Sequence, residues 1–327
     1  MKTKSTALYR KLIHEAWTLT WKRKMLWFFG IFAAIISTGG VMDVGLASIK
    51  KVKSGGSLVN QLLNSSFIGY ELFAQYIRQI HLLGTERALW MIVILTLIAI
   101  ALVVMAVTSQ GALILGAKSK NAPKPYPLRK QALTHFWDLF ILAAITKILT
   151  GVLILLMTLP LVLLFVENSQ ENVWIFFVLM ALFLPVVIIV NIVSMFALID
   201  IVYNNHKPLH AIEHGIHLFR RQWLASFEYG LILFFLVFCA GFGLLGLIAL
   251  SSIPYAILYT ISVLSGVELF FIATNVIFAL GLMLIVLIFG GASVTFQYTA
   301  WYTFYKRAMH KTHGKMHFSK YFRIFWK

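Results

Sequence analysis

The chain has 327 residues, 60% of them hydrophobic and only 12% charged, about half the charged fraction of a soluble domain, which excludes an ordinary soluble globular fold. Its formal charge of +17 would suggest nucleic acid in a soluble protein, but no nucleic-acid-binding module surrounds the basic residues, so anionic lipid is the expected partner and nucleic acid is not. The single Cys239 excludes an intrachain disulfide.

In chain order, residues 1–24 form the first amphipathic segment. At 100° per residue, Leu8, Leu12, Ala16 and Leu19 share one face, with Arg10, Lys11, His14, Thr18 and Lys22 opposite. Such a helix is expected to lie in the membrane interface, apolar side down. An apolar span over 25–44 follows and reads as a retained signal anchor. The connection 45–87 contains the flexible Ser54-Gly55-Gly56-Ser57 and predicts an amphipathic helix over 57–83, resting on the outer leaflet or covering the bundle. Its Asn64-Ser65-Ser66 fits a glycosylation sequon. The second span is 88–117.

A second amphipathic segment then places Leu128, Ala132, Phe136 and Leu139 opposite Lys130, Gln131, Thr134, His135 and Asp138, with Arg129 an exception, and spans 148–166 and 173–203 follow. Lys147 is expected to snorkel at the inner edge of a span beginning at Ile148, rather than to sit inside one beginning near Trp137. The third segment sets Leu209, Ile212, Ile216, Phe219 and Trp223 against His210, Glu213, His214, His217, Arg220 and Arg221. Spans 224–254 and 267–303 complete the set, and the tail 304–327 ends in alternating basic and aromatic residues. The fold class is therefore all-α: one polytopic membrane domain, 1–327, with six transmembrane helices, cytoplasmic amphipathic helices and a suggested threefold hairpin repeat.

Alternate connections carry 22 Lys and Arg against 5 on the others. The positive-inside rule then places both termini in the cytoplasm. Arg220, Arg221, Lys320, Arg323 and Trp326 are the expected contacts to lipid headgroups, cations meeting phosphate and aromatics anchoring at headgroup depth.

His206, His210, His214 and His217 follow at intervals of four, four and three. Were a metal bound, His210, His214 and His217 would hold it, with Glu213 or the tail histidines 310, 313 and 317 completing the set. The same residues also suit the polar face of an amphipathic helix, so no metal, cofactor or catalytic residue is assigned. Two glycine motifs are accidental on this reading. Gly241, Gly243 and Gly246 lie in an apolar span and suggest close helix packing. Gly111, Gly116, Lys118 and Ser119 miss a phosphate-binding loop because Ala117 intrudes. Gln110, Asn191, Asn275 and Gln297 suit hydrogen bonds between helices, and Asp200 and Glu228 lie near inner ends where water is close.

Residues 21–32, Trp-Lys-Arg-Lys-Met-Leu-Trp-Phe-Phe-Gly-Ile-Phe, and 211–223, Ala-Ile-Glu-His-Gly-Ile-His-Leu-Phe-Arg-Arg-Gln-Trp, resemble stretches of bacterial six-helix membrane proteins. These are similar to the membrane domain attached to some glycerophosphodiester phosphodiesterases and to the uncharacterised YciC-like inner-membrane proteins. The resemblance implies a bacterial cytoplasmic-membrane location and a role connected with lipid or envelope. It does not bring the phosphodiesterase activity, because the catalytic domain is not in this sequence. The expectation is a non-enzymatic membrane protein that engages anionic lipid and assists an envelope process. A small-solute or lipid transporter is the alternative, and a polar cavity lined by Gln110, Asn191 or Gln297 would favour it. An intramembrane enzyme ranks third.

Overall fold

The computed structural model describes residues 6–37, 85–119, 125–167 and 173–310. Among them every regular element is an α-helix: α1 (Thr6–Lys22), α2 (Leu26–Ser37), α3 (Thr85–Lys118), α4 (Pro125–Leu133), α5 (Phe136–Glu167), α6 (Val173–Asn204), α7 (Pro208–Arg221), α8 (Trp223–Leu264) and α9 (Glu268–His310). Five stretches within them are long and apolar enough to cross a membrane: Leu89–Lys118, Phe136–Leu156, Ala181–Asn204, Trp223–Leu264 and Glu268–Met309. The sixth predicted span, 25–44, is represented by the 12 residues of α2, about 18 Å of helix. Residues 38–44, the predicted outer helix 57–83 with its sequon, and tail residues 311–327 lie outside the described residues.

Short helices α1, α4 and α7 each lead into an apolar helix across a break of one to three residues, at 23–25, 134–135 and 222. The second break corrects the predicted amphipathic segment 128–139, since Leu139 belongs to the next helix. The core lies at the end of the bundle where these short helices sit. There Phe196, Tyr229, Trp301, Phe304 and Tyr305 form one aromatic cluster, with Tyr229 stacked on Phe304 at 4.7 Å between ring centroids and Phe196 on Phe304 at 6.1 Å. The Tyr229 hydroxyl donates to the Ala300 carbonyl at 3.0 Å, which satisfies the polar end of a fully buried ring.

Helix α2 crosses α9 at Gly30 and Gly291. A Cβ added to Gly30 would collide with the Gly291 carbonyl oxygen, and one added to Gly291 would come within 2.5 Å of the Trp27 carbonyl. Such contact needs residues without side chains, the general rule for close helix crossings in membranes. Thr295 locks it by donating to the Leu26 carbonyl at 3.1 Å or to its own helix at Gly291 at 2.7 Å. At the same end Arg23 donates to the carbonyls of Gly116 and Ser119, tying the α1–α2 break to the close of α3.

Several predicted boundaries change. Helix α5 begins at Phe136, not Ile148, because Leu139 and Leu142 are buried and extend the apolar helix upstream. Lys147 therefore lies within the apolar stretch Phe136–Leu156, with its side chain exposed. Helix α8 continues through Pro254 to Leu264. The α8–α9 turn shrinks to residues 265–267, and Gly266, at φ +62°, supplies the left-handed backbone it requires. At 42 and 43 residues, α8 and α9 are each about 63 Å long, twice the thickness of a hydrocarbon core. Helix α9 reaches His310, so the first residues of the predicted tail are core helix, with Phe304 and Tyr305 fully buried.

The predicted interfacial faces also divide differently. On α1, Leu12 and Ala16 are buried inside the protein. On α7 the buried stripe is Pro208, Ala211, Gly215 and Leu218, where a Cβ on Gly215 would stand 3.0 Å from the Val193 carbonyl oxygen of α6. Of the larger apolar stripe predicted to face lipid, Leu209, Ile216 and Trp223 are exposed, while Ile212 and Phe219 pack partly buried against the core. Helix α7 thus docks through Ala211, Gly215 and Leu218 and leaves Leu209 and Ile216 outside.

Candidate functional site

Two places in the bundle combine defined geometry with chemistry. The first is a groove of about 1460 Å³ between α1, α8 and α9. Its floor is apolar, running along α8 through Leu231, Leu236, Ala240 and Leu244 to Leu247, with Ile285, Ile288 and Phe289 of α9 opposite. From Leu231 to Leu247 the floor extends for about 24 Å at 1.5 Å per residue. The expectation that Gly241, Gly243 and Gly246 pack closely fails here, since a Cβ on any of them meets nothing within 4 Å. Gly243 instead lines the groove and keeps it open.

Polar side chains join the lining along α1: Arg10 and His14 of α1 and Lys24 of the α1–α2 break, spread over about 21 Å of chain, with the Tyr9 hydroxyl donating to Glu228 at 3.0 Å. Burial, followed by the neighbouring Glu228 carboxylate, pushes the Tyr9 phenol above its ordinary pKa and keeps it a donor. Trp17, Trp21 and Trp27 also line this region, their rings 5.5 and 5.1 Å apart in sequence order. Trp27 anchors itself through Nε1, which donates to the Thr20 carbonyl at 3.1 Å. Indole rings and cations beside an apolar surface are the residue types of a membrane interface, here brought into a cleft.

The second place is the end of α6. Asp200 is fully buried. Its Oδ1 accepts from Asn204 Nδ2 and from the Tyr305 hydroxyl, both at 2.6 Å. His214 Nδ1 stands 3.1 Å from the same oxygen, and His206 Nδ1 stands 2.8 Å from Oδ2. The backbone makes this convergence possible. Asn205 leaves the helix at φ +58°, a left-handed conformation that asparagine tolerates, and its N–H still donates to the Ile201 carbonyl at 3.0 Å. The chain turns back there, so His206 reaches Asp200 before Pro208 starts α7, which delivers His214 one and a half turns later.

The predicted histidine face is therefore split. His206 precedes α7 and joins His214 at Asp200, a carboxylate from another helix, instead of Glu213 or the tail histidines. His210 is largely exposed and pairs with Glu213 at 3.6 Å, while its ring packs edge-on against His206 at 4.8 Å. His217 is exposed, away from the cluster. Arg220 and Arg221 stand exposed on the last turn of α7, apart from the groove. Lys320, Arg323 and Trp326, like His313 and His317, lie outside the described residues.

Sequence reasoning passed over Arg10, His14 and Lys24 as groove-lining residues, because nothing local signals that α8 and α9 will face α1. It also treated Asp200 as a water-accessible helix end. The available signal was Asn204-Asn205-His206-Lys207-Pro208, a turn-rich run that reverses the chain onto the preceding acid. Of the polar residues expected between helices, Asn275 accepts from Tyr255 of α8 at 2.8 Å. Asn191 donates within its own helix to Val187 at 2.8 Å, and Gln110 is buried with no partner for its side-chain oxygen among the described residues. None of Gln110, Asn191 and Gln297 lines the groove.

Compared with known proteins, the chain matches no family model, no curated protein and no solved structure.

Proposed function

We propose that this protein is a non-enzymatic membrane protein that holds an anionic phospholipid in the α1–α8–α9 groove, with the basic end of the bundle at the cytoplasmic face of a bacterial inner membrane. The observation that carries the reading is the groove itself: one cleft lined along α1 and the α1–α2 break by Arg10, His14 and Lys24 and along α8 by roughly 24 Å of apolar surface. Its volume exceeds the range of about 300–1,000 Å³ usual for small-molecule pockets, as two acyl chains require. Each cation near an anionic headgroup contributes about 1 kcal/mol, or close to fivefold in affinity. The cytoplasmic placement is supported by the excess of basic residues on alternate connections and is tested by a reporter fused after Lys327, which must stay inside the cell.

The decisive experiment is native mass spectrometry of the full chain released from nanodiscs of mixed anionic phosphatidylglycerol and neutral phosphatidylcholine. Wild type should retain anionic lipid preferentially. Arg10→Ala with Lys24→Ala should lower that preference by more than tenfold. Gly243→Leu should reduce retention of either lipid while leaving the fold intact, because its added carbons enter open space. Equal retention of both lipids by wild type would overturn the proposal.

Lipid transfer is a second reading, favoured by one observation: the groove floor is deeper than one leaflet, half of a core about 30 Å thick. Fluorescent-lipid exchange between leaflets of proteoliposomes, slowed by Gly243→Leu, would favour transfer over static binding.

A further inference from the structure

We propose that Asp200, His206 and His214 form a binding site for a divalent first-row transition ion of the zinc class, clamping α7 onto the end of α6. The three donors come from three successive pieces of chain: the end of α6, the connector 205–207, and α7. Their donor atoms already lie within 4.8 Å of one another. Ligands at about 2.0–2.1 Å from a tetrahedral ion stand roughly 3.3 Å apart, so the His206 Nδ1–Oδ2 pair, now at 2.8 Å, opens by about half an ångström, while His214 Nδ1, now 3.1 Å from the neighbouring Oδ1, shifts its contact toward Oδ2. The two imidazoles must approach each other, which the partly exposed rings can do at 37% and 29% side-chain exposure.

The distribution of donors around Asp200 favours an ion over a purely structural network. Three groups crowd Oδ1, namely Asn204, Tyr305 and His214, whereas among the described residues Oδ2 is met by His206 alone. A carboxylate oxygen offers about two lone-pair sites. Moving both imidazole nitrogens from the carboxylate to an ion held by Oδ2 leaves Asn204 and Tyr305 on Oδ1, a fully used pair. Those two then act as the outer partners that orient a metal-binding carboxylate. Two imidazoles and one carboxylate suit zinc and its neighbours, whereas calcium and magnesium prefer all-oxygen ligation. Three protein ligands leave a fourth position on the exposed side of the rings, open to water or to a swung His210.

The site does not depend on the lipid groove, which contains none of these residues. The test uses the purified full chain in detergent, free of any affinity tag and stripped with chelator, titrated with Zn²⁺ by calorimetry and with Co²⁺ by ligand-field absorption. One ion should bind per chain, and Co²⁺ should give the intense visible bands of a four-coordinate centre. Asp200→Asn, His206→Gln and His214→Ala should each weaken binding by at least about tenfold, while His210→Ala and His217→Ala leave a saturable site. Should Asp200→Asn fail to fold, His206→Gln decides, because its amide still donates to Asp200 but is not a zinc ligand. No saturable uptake by wild type, or wild-type affinity in His206→Gln, would overturn the proposal. So would uptake lost only with His210 and His217, which would mark adventitious binding by surface histidines.

Discussion

At the end of the bundle carrying α1, α4 and α7, residues 106–117, 196–202 and 298–305 are buried without interruption. Farther along α3 and α9, and on α8, Leu95, Leu97, Phe234, Phe238, Leu245 and Leu284 are all exposed. Composition separates the two regions: the buried stretches mix Ala, Gly, Thr, Tyr and an aspartate with their aliphatic residues, whereas the exposed ones are mostly Leu, Ile, Val and Phe. Solvent accounts for the difference. Where the surroundings are hydrocarbon, an exposed leucine costs nothing and helices can stay loosely associated. Where the chain packs against itself, most buried polar groups find partners, the side-chain oxygen of Gln110 being an exception among the described residues. Asp200 with its four neighbours and Tyr229 on Ala300 both belong to that end.

That contrast can be broken by matched substitutions, read as thermal unfolding of the helical signal in one detergent. The largest effect is expected for Phe304→Ala, which empties a fully buried position and should cost about 3–5 kcal/mol. Phe238→Ala, at a position 51% exposed, should leave the midpoint nearly unchanged; equal losses would show that both regions pack alike.

Next in size is Tyr305→Phe. It removes a 2.6 Å donor from a buried carboxylate, a loss of about 1.5–3 kcal/mol for a hydrogen bond to a charged group. The comparable bond in the apolar region, Tyr255 to Asn275, should be worth only about 0.6 kcal/mol when cut by Tyr255→Phe. A larger effect at Tyr255 than at Tyr305 would reverse the ranking of the two ends.

Gly30→Ala should cost about 1–3 kcal/mol by overpacking the α2–α9 crossing. Gly246→Ala, whose added carbon meets nothing within 4 Å, should be neutral or stabilising by up to about 1 kcal/mol through helix propensity.

The smallest effect is a pH dependence at the α4–α5 break. Burial, with Lys118 adding to it and Asp138 opposing, holds the His135 imidazole below its ordinary value. The unfolded chain then binds the proton more readily than the folded one. Stability tied to this residue is therefore full above pH 6.5 and declines as the pH falls below it. His135→Gln should flatten that part of the unfolding profile, and an unchanged slope would assign it to other groups.

Much of the architecture was legible because hydrocarbon imposes a simple rule: about twenty apolar residues must form one helix. Helix positions 88–117 and 173–203 agree with α3 and α6 to within three residues at each end. Legibility failed at span ends, where the rule weakens. The stretch Phe136–Leu156 is apolar enough for a span although it contains Lys147, and a long side chain whose head can reach toward the interface makes that lysine tolerable inside the helix. Pro254 similarly looks like a terminus, but the α8 helix absorbs it.

The amino-acid order alone determined that the chain is helical, that it belongs in a membrane, and which short segments are amphipathic, because these depend on periodicity and on the cost of placing charge in hydrocarbon. Only the tertiary structure decided which face of α7 docks on α6, that Arg10, His14 and Lys24 line a groove against α8 and α9, and that Tyr305, 105 residues beyond Asp200, closes over its carboxylate. Those outcomes rest on which helices become neighbours, a property of shape and close packing between segments far apart in sequence, and no local pattern of residue types encodes it.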